Sequence, residues 1–380
     1  MRRGRATSAA TTSAANPESL NRRFAAALSK LTFGGAPAAI ALSGGGDSMA
    51  LMLLLADWAK RERLEPPAAL IVDHGLRAGS GKEAALVADW AGEHGVKAQV
   101  LKRSGPRPRA NIEEKARAAR YALMGEWCVK HGGGALFIAH TLDDQAETFL
   151  LRLGRGSGVD GLSGMRPQAP VPVKGFPGIV LLRPLLEFRR AELRAYLEFR
   201  GVGWLEDPMN ADPRFARTRI RGAVPALEAA GVPASRIARA AAHLARAREA
   251  LEAETETFLA AHARVLPDGG TLIDAGALGR ARREIGLRAL STVLIRVSGQ
   301  ARRPRFEGLE GLFDALAGGN FVKARTLHSC RVGPAAKKER DFGPQTVKIA
   351  REGPRRSLSK LRSVRLETRA GAGRSGSKSP

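Results

Sequence analysis

The chain has 380 residues and carries 62 Lys and Arg against 37 Asp and Glu, a formal net charge of +25 at pH 7. This length is enough for two domains, and a charge of this size favours a polyanionic partner. Only two cysteines occur, Cys128 and Cys330, in no C-x-x-C pair, which argues against a disulfide scaffold, a zinc site or an iron–sulfur cluster and fits a reducing cytoplasm.

The N-terminal residues 1–16 are predicted to be a disordered leader. Residues 1–15 are rich in Arg, Ala, Ser and Thr and contain no acid, so an organellar transit peptide is the alternative. A helix is then predicted to begin at Asn16, Pro17 and Glu18, which are typical of a cap, a first helical position and an acidic first turn. No apolar run approaches the ~20 residues that a membrane span needs, so we expect no membrane association.

Strand and helix patterns alternate after this first helix. The pattern predicts strands at 38–42, 68–72, 98–101 and 135–139, and it predicts helices at 47–63, 81–93 and 111–131, with another beginning near Leu142. Apolar strands alternating with helices predict an α/β fold, a parallel sheet with helices on both faces. Ligands of such sheets bind beyond the carboxyl ends of the strands.

The rest of the chain is predicted to form a second, mostly helical domain. It begins beyond Pro225, where the sequence becomes rich in Ala, Arg and Glu, and a short hairpin is expected between Asn320 and Ser329 near its end. A helix from Arg189 to Phe199 is expected before it, still within the α/β region. The predicted organisation is a leader (1–16), an α/β domain (17–225), a mostly helical domain (226–333) and a basic flexible tail (334–380).

The first predicted strand runs into Ser43-Gly44-Gly45-Gly46-Asp47-Ser48, where the next helix is expected to begin. Glycines at a strand-to-helix turn let backbone N–H groups approach a ligand, and a helix N-terminus favours negative charge, so the loop is suited to phosphate. It lacks the Lys-Ser/Thr pair of the kinase-type loop and the glycine spacing of a dinucleotide site. The simpler alternative is a glycine-rich turn with Asp47 near the N-cap.

Two further motifs follow the second and third strands. Asp73 and His74 stand at the tip of the second strand, where they reach a nucleotide beside the first strand or serve as turn formers. Asn111 and Glu114 have the spacing of a capping box. Arg117, Arg120 and Tyr121 share one face of the helix that follows, where they meet phosphate or a base, or are solvated.

The fourth strand leads into a cluster of acids. Asp143, Asp144 and Glu147 exceed what helix capping requires, although acids do stabilise a first helical turn. Carboxylates at this edge of the sheet suit Mg²⁺, which takes one or two of them together with phosphate oxygens, or a general base.

Arginines are dense in the second half of the α/β region. Arg155 lies in a glycine-rich loop that runs to Met165, and four arginines, among them Arg217 and Arg221, fall between Arg214 and Arg221. A solvated helix face is one explanation. The density is also typical of a nucleic-acid contact.

These motifs together resemble those of tRNA(Ile)-lysidine synthases, PP-loop enzymes of the ATP pyrophosphatase superfamily. The matching strings, in the same order and spacing, span roughly Ile40 to Pro225 and are 43–48, 72–77, 111–121, 139–148, 155–165, 183–186 and 207–221. The family adenylates the wobble cytidine of a CAU-anticodon tRNA(Ile) at its C2 oxygen, and free L-lysine then displaces AMP. The resemblance therefore implies a cytoplasmic carbon–nitrogen ligase that uses ATP and Mg²⁺, releases AMP and pyrophosphate, and is often a homodimer.

The resemblance also implies roles for individual residues. The ATP-binding residues are expected to be Ser43, Gly44, Gly45, Gly46, Asp47, Ser48, Asp73 and His74. Metal ligands are expected at Asp47, Asp143 and Asp144, and catalytic residues at Asp144, Asp47 and Arg217. Substrate or tRNA contacts are expected at Arg117, Arg120, Arg155 and Arg221.

The sequence departs from the family pattern in two respects. Met209 and Thr218 replace the usual Ser and a frequent Asn, and the region beyond Pro334 is shorter than in longer relatives. The alternatives are another PP-loop tRNA-modifying enzyme such as a cytidine thiolase, a ligase acting on a small acid, and a non-catalytic RNA-binding protein. The missing cysteine pair argues against the thiolase, and the charge argues against the small-acid ligase.

Overall fold

The structure is a computed structural model that describes residues 17–33, 37–75, 79–103, 112–206, 214–300, 302–319 and 321–353. It divides the chain into two units, Met1–Arg248 and Glu249–Pro380. The following predictions lie outside the described residues: the leader 1–16, Arg77, the Asn111 cap, Met209 within the 207–213 segment, and everything beyond 353. None of the helices in the described part of the chain combines the length and apolarity that crossing a membrane would require.

The first unit is built on a six-stranded sheet. Its strands are β1 (Ala38–Ala41), β2 (Ala68–Asp73), β3 (Ala98–Lys102), β4 (Ala135–Phe137), β5 (Gln168–Pro170) and β6 (Val180–Leu182). Their order is β3-β2-β1-β4-β6-β5, and all pairs are parallel except β5 with β6. The predicted parallel sheet is confirmed. The sequence missed β5 and β6, which are short and lie in a Pro- and Gly-rich stretch.

Helices follow the strands of this sheet. They are α1 (Pro17–Ser29), α2 (Gly46–Glu62), α3 (Ser80–Glu93), α4 (Ile112–Lys130), α5 (Leu142–Leu153), α6 (Val159–Leu162), α7 (Arg190–Phe199), α8 (Ala216–Ala229) and α9 (Ala234–His262). Side chains alternate across β1, so that Ile40 joins one core with α2 while Ala39 joins another with α4. Helices therefore cover both faces, as predicted.

Helix α2 is the centre of the first unit. All residues from Met49 to Leu55 are buried. A helix that is apolar on every side must be surrounded by other elements, which fixes its position firmly. The loop that precedes α2 is therefore held by a rigid element.

The second unit combines helices with an antiparallel sheet. Its strands are β7 (Ala263–Val265), β8 (Thr271–Asp274), β9 (Arg325–Leu327), β10 (Cys330–Pro334) and β11 (Thr346–Arg351), in the order β7-β8-β11-β10-β9. Its further helices are α10 (Ala275–Arg280), α11 (Arg283–Ser298) and α12 (Phe306–Ala317). The predicted helical character is confirmed, and the five-stranded sheet is an addition that the sequence did not reveal.

Three predicted boundaries differ from the structure. The units divide within α9 and not at 225/226, because Ala234 and Ile237 pack with Ala146 of α5. The predicted tail contains β11, whose side chains Val347 and Ile349 alternate into the core of the second unit. The hairpin pairs β9 with β10 instead of spanning 320–329, with residues 328 and 329 in the left-handed region at its turn.

Candidate active site

The loop between β1 and α2 is held by its own serines. The Ser43 backbone N–H donates to Ser48 Oγ at 3.2 Å, and the two hydroxyl oxygens lie 3.1 Å apart. Ser48 Oγ donates to the Gly45 carbonyl at 2.9 Å. Gly45 is the N-cap of α2 and offers no side chain to cap it. Backbone N–H groups at such an uncapped helix start favour an anion, and phosphate binding by this loop stays a prediction.

The three glycines of this loop have different roles. Gly44 has φ +82, and a Cβ there would lie 2.5 Å from Val87 Cγ2. At Gly45 and Gly46 the nearest atoms to such a Cβ are 3.7 Å and 3.6 Å away. Gly44 is therefore required by the backbone and its packing, whereas Gly45 and Gly46 would admit a Cβ in ordinary van der Waals contact.

An acid cluster surrounds one arginine beyond the carboxyl ends of β1 and β4. Arg190, the first residue of α7, donates from Nε to Asp47 Oδ2 at 3.0 Å and from Nη2 to Asp144 Oδ1 at 3.1 Å. Its Nη1 donates to Glu147 Oε1 at 3.3 Å. Only 3% of the Glu147 side chain and 19% of the Arg190 side chain are exposed. The fold thus brings Asp47 and Asp144 together, and a cation that the sequence did not single out lies between them.

The two adjacent aspartates of α5 differ in their contacts. Asp144 takes part in a capping box, because Oδ2 accepts from the Thr141 backbone N–H at 2.8 Å and its own N–H donates to Thr141 Oγ1 at 3.3 Å. Asp143 Oδ2 accepts from the Arg190 backbone N–H at 2.7 Å. Asp143 therefore holds the first turn of α7, and Asp144 holds its own helix while facing Arg190.

Burial controls the ionisation of this cluster. Burial raises the pKa of Asp47, and the neighbouring Arg190 opposes the shift without cancelling it. Burial lowers the pKa of Arg190, but Asp144, Asp47 and Glu147 outweigh it and raise that pKa overall. Asp47 Oδ1 is buried and has no hydrogen-bond partner among the described residues. This oxygen is available to a ligand.

His140 and Arg183 stand at the end of β4 and close to β6. Arg183 is 9% exposed, donates from Nε to His140 Nδ1 at 3.1 Å, and donates from Nη1 to the Arg166 carbonyl at 2.8 Å. Burial lowers the pKa of His140 to about 4 against the opposing effect of Asp144, and nearby arginines lower it further. His140 is therefore neutral at pH 7, with Nδ1 as acceptor and Nε2 carrying the proton.

Cations line the neighbouring surface. Arg221 Nε donates to Glu147 Oε1 at 2.9 Å, so it joins the acid cluster. Burial and the like charges of Arg217, Arg248 and Arg155 lower the pKa of Arg152. Arg155 is exposed and Arg217 is half-buried. Positive charge is therefore concentrated beside the carboxylates, which suits a polyanion.

The glycine-rich loop after α5 is held by hydrogen bonds with side chains of α5. Arg152 Nη1 donates to the Gly161 carbonyl at 2.8 Å. Gln145 bonds to Met165 in both directions, at 3.0 Å and 2.7 Å. These contacts hold the loop that carries Arg155 against the helix that carries Asp144.

The tip of β2 places Asp73 and His74 in different surroundings. Asp73 Oδ1 accepts from Ser80 Oγ at 2.7 Å and from the Gly75 N–H at 2.9 Å, and these bonds lower the pKa of Asp73. His74 Nε2 accepts from Arg120 Nε at 3.3 Å, and burial lowers the pKa of His74. His74 Nδ1 is buried without a partner among the described residues. Asp73 therefore forms a turn, whereas His74 keeps one ring nitrogen for a ligand.

Arg117 lies near this tip on α4. Its guanidinium carbon stands 5.3 Å from the centre of the Tyr121 ring, and its Nη2 donates to the Tyr121 hydroxyl at 3.3 Å. Tyr121 is 4% exposed and belongs to the core, whereas Arg117 and Arg120 on the same helix face are exposed.

The site contains residues that sequence reasoning did not assign. They are Arg190, Arg183 and His140, whereas Glu147 already belonged to the predicted acid cluster. Arg183 lies in the Arg183-Pro184-Leu185-Leu186 motif and His140 follows the fourth predicted strand, so both carried a usable signal. Arg190 carried none, because it is one arginine among many and its partners are distant in the chain.

Comparison with known proteins agrees with this geometry. A family model described as a PP-loop domain matches residues 17–227. The chain is 41% identical to the tRNA(Ile)-lysidine synthase of Methylobacterium nodulans, over 75% of this chain and 84% of that protein. It is 37% identical to the tRNA(Ile)-lysidine synthase of a Bradyrhizobium species, over 83% of this chain and 90% of that protein. It is 42% identical to that of Ruegeria pomeroyi over 73% of this chain but spans only 64% of that relative.

We predict that Gly44→Ala lowers the free energy of unfolding by about 2 kcal/mol or more, because alanine at φ +82 is strained and its Cβ meets Val87. Gly45→Ala is the control and should cost no more than about 1 kcal/mol, because alanine is a poorer N-cap than glycine but its Cβ would meet no atom closer than 3.7 Å. Urea titration followed by circular dichroism measures both. Equal losses in the two variants would contradict the different roles of these glycines.

We predict that acid destabilises the protein partly through His140. A histidine whose folded pKa is about 4, below its ordinary 6.5, contributes stability above pH 6.5 that is lost as the pH falls toward 4. His140→Asn keeps an acceptor for Arg183 and cannot be protonated in this range. The decline in unfolding free energy from pH 6.5 to 4 should be smaller in this variant by on the order of 2 kcal/mol. Parallel pH profiles for both proteins would contradict the neutral His140.

Proposed function

This chain belongs to the tRNA(Ile)-lysidine synthase family, and on that premise we propose that it joins L-lysine to C2 of the wobble cytidine in CAU-anticodon tRNA(Ile), converting ATP to AMP and pyrophosphate. The observation that carries the proposal is the juxtaposition of the Ser43–Ser48 loop with Asp47 and Asp144 at one edge of the sheet. The similarity to relatives of this name supports it.

The loop is proposed to hold the phosphates of ATP. Ser43 and Ser48 fix its shape, Gly45 and Gly46 keep its backbone free of side chains, and α2 begins there without a side-chain cap. His74 at the neighbouring strand tip has an unused ring nitrogen for the nucleoside, and Asp73 supports the turn that presents it. Donors around the phosphates stabilise the charge that develops as pyrophosphate leaves.

Mg²⁺ is proposed to bind at Asp47 and Asp144. Carboxylate oxygens are suitable ligands, and Asp47 Oδ1 has no partner among the described residues. Oδ2 of Asp143, the third predicted ligand, already accepts a hydrogen bond from the Arg190 backbone N–H. No group of three His, Cys, Asp or Glu in the described ranges forms a ready-made cage, so phosphate oxygens would have to complete the coordination. When bound there, the ion would neutralise charge on the phosphates.

The reaction needs two transfers. In the first, the cytidine O2 bonds to the α-phosphorus and pyrophosphate leaves. In the second, the side-chain amine of lysine bonds to C2, the C2–O bond breaks and AMP leaves. The amine attacks in its neutral form, and Asp144 is proposed to take its proton. Arg217 and Arg221 are proposed to stabilise negative charge on the phosphate or orient the cytidine.

The anticodon arm is proposed to contact the cationic surface of the first unit. Arg117, Arg120 and Arg155 are exposed, Arg217 is half-buried, and Arg221 pairs with Glu147 of the acid cluster. Such a surface binds phosphate backbones without reading sequence. The homodimer and the cytoplasmic location stay predictions that the family resemblance implies.

The cysteines do not support the alternative function, that of a cytidine thiolase. Cys128 and Cys330 are both free and buried, and they belong to different units. Burial raises the pKa of each thiol to about 11, which suits structural cysteines and not sulfur transfer. Lysidine formation is the function that the site supports best.

The test of this function is incorporation of labelled lysine. We expect the protein, with ATP and Mg²⁺, to label tRNA(Ile) with a CAU anticodon and not tRNA(Met), because only the former is the proposed substrate. Cleavage of ATP to AMP without transfer of lysine would refute the substrate and leave the phosphate loop standing. A folded protein that neither cleaves ATP nor labels the tRNA would refute the enzyme and favour an RNA-binding protein.

We predict that Asp144→Asn lowers the rate of lysine transfer about 100-fold or more, because the amide cannot accept the proton. The amide oxygen can still accept from the Thr141 N–H, so folding should be retained. Asp57→Asn is the control, since Asp57 accepts hydrogen bonds from Tyr196 and Arg200 and is not among the residues proposed to bind ATP, Mg²⁺ or tRNA. Single-turnover transfer measures both variants. Normal turnover in Asp144→Asn would remove Asp144 from the mechanism.

A further inference from the structure

We propose that Arg190 is a positioning residue that fills the acid cluster with an internal cation, so that a divalent metal binds there only together with ATP. This inference rests on the proposed function, because Asp47 and Asp144 are the proposed metal ligands. It goes beyond that function by assigning Arg190 control over the order in which metal and nucleotide bind.

The geometry of Arg190 is that of a central counter-ion. Each of its three guanidinium nitrogens donates to a different carboxylate, those of Asp47, Asp144 and Glu147, at 3.0, 3.1 and 3.3 Å. These carboxylates come from α2 and α5, whereas Arg190 begins α7. A planar fork with several donors is the side chain best suited to bridge such a set.

The backbone of Arg190 is fixed independently of its side chain. Asp143 Oδ2 accepts the Arg190 backbone N–H at 2.7 Å. The anchor lets the guanidinium exchange partners while α7 stays in place. Arginine pairs with phosphate as readily as with carboxylate, so an entering triphosphate offers the guanidinium a second set of oxygens.

The charges explain why the cluster needs this cation. Asp47, Asp143, Asp144 and Glu147 supply four carboxylates, and Arg190 and Arg221 supply two cations. Carboxylates this close either protonate or gather a cation. With Arg190 in place one oxygen of each of its three partners is occupied, and a free metal ion meets competition for every one of them.

Bound ATP shifts the competition for these carboxylates from Arg190 towards the metal ion. The triphosphate brings oxygens that complete the coordination of Mg²⁺ and that also attract Arg190 away from the carboxylates. Metal and nucleotide therefore support each other's binding at this site. Without ATP, Arg190 is favoured over a free metal ion, because it is covalently part of the chain and already lies among the carboxylates.

The test measures binding of Mn²⁺, as a probe for Mg²⁺, to the full chain by the loss of the free-ion electron paramagnetic resonance signal. Wild-type protein without ATP should bind Mn²⁺ weakly and without saturation. Arg190→Gln should bind one Mn²⁺ at least about tenfold more tightly, because a neighbouring positive charge has been removed. Arg200→Gln is the matched control: this arginine ends α7 and pairs with Asp57, so its loss should leave Mn²⁺ binding unchanged.

Equal Mn²⁺ affinities in wild type and a folded Arg190→Gln would overturn the inference. Tight, saturable Mn²⁺ binding by the wild-type protein without ATP would also overturn it. If Arg190→Gln does not fold, Arg190→Lys replaces it. A lysine ammonium is a point charge that cannot span three carboxylates, so we expect about threefold tighter binding than in wild type, and equality again overturns the inference. Because ATP alone also removes the free-ion signal, binding with ATP is measured as the Mn²⁺ that stays with the protein in gel filtration, and a wild type that retains none would instead refute the proposed metal site.

Discussion

Arg190 and its carboxylates are the interaction on which the candidate site depends. One guanidinium joins the first turn of α2, through Asp47, to α5, through Asp144 and Glu147, while α7 begins at Arg190 itself. The starts of these helices meet at the carboxyl edge of the sheet, where their positive dipole ends favour the acids in their first turns. The same arrangement that stabilises the helix ends assembles the chemistry.

The core of the first unit makes this arrangement rigid. Because Met49 to Leu55 are all buried, α2 cannot shift without disturbing the packing on every side. The loop before it is closed by Ser43 and Ser48 and passes Val87 and Leu205 too closely to admit a side chain at Gly44. A rigid loop facing a rigid set of carboxylates is what the transfer of a nucleotidyl group needs, since donors placed in advance cost no rearrangement.

Charge is separated over a short distance at this edge. The acid cluster around Arg190 borders cations that include Arg152, Arg155 and Arg217, and His140 between them is neutral at pH 7. Acids suit a metal and a proton acceptor, and cations suit an RNA backbone. A substrate that carries a phosphate backbone and a reacting base can satisfy both regions at once.

The sequence by itself determined the parallel sheet, the bounds of most helices in the first unit and the position of the glycine-rich loop between β1 and α2. Periodicity and glycine placement are local properties, so residues 43–48 and 142–153 could be interpreted without knowing their neighbours. Asp144 and Asp47 were predicted because each follows a strand of the same sheet.

Only the tertiary structure decided how these residues share their charge. Arg190 is 143 residues from Asp47 in the chain, and nothing local distinguishes it from the other arginines. The neutral state of His140 depends in the same way on burial and on distant Arg183. In the second unit, β11 pairs with β8, which lies more than 70 residues earlier in the chain. The sequence around β11 is basic, so the alternation of Val347 and Ile349 was not recognised as a strand pattern. Local patterns fix elements, but long-range contacts decide which charges meet, because burial and pairing exist only once the chain has folded.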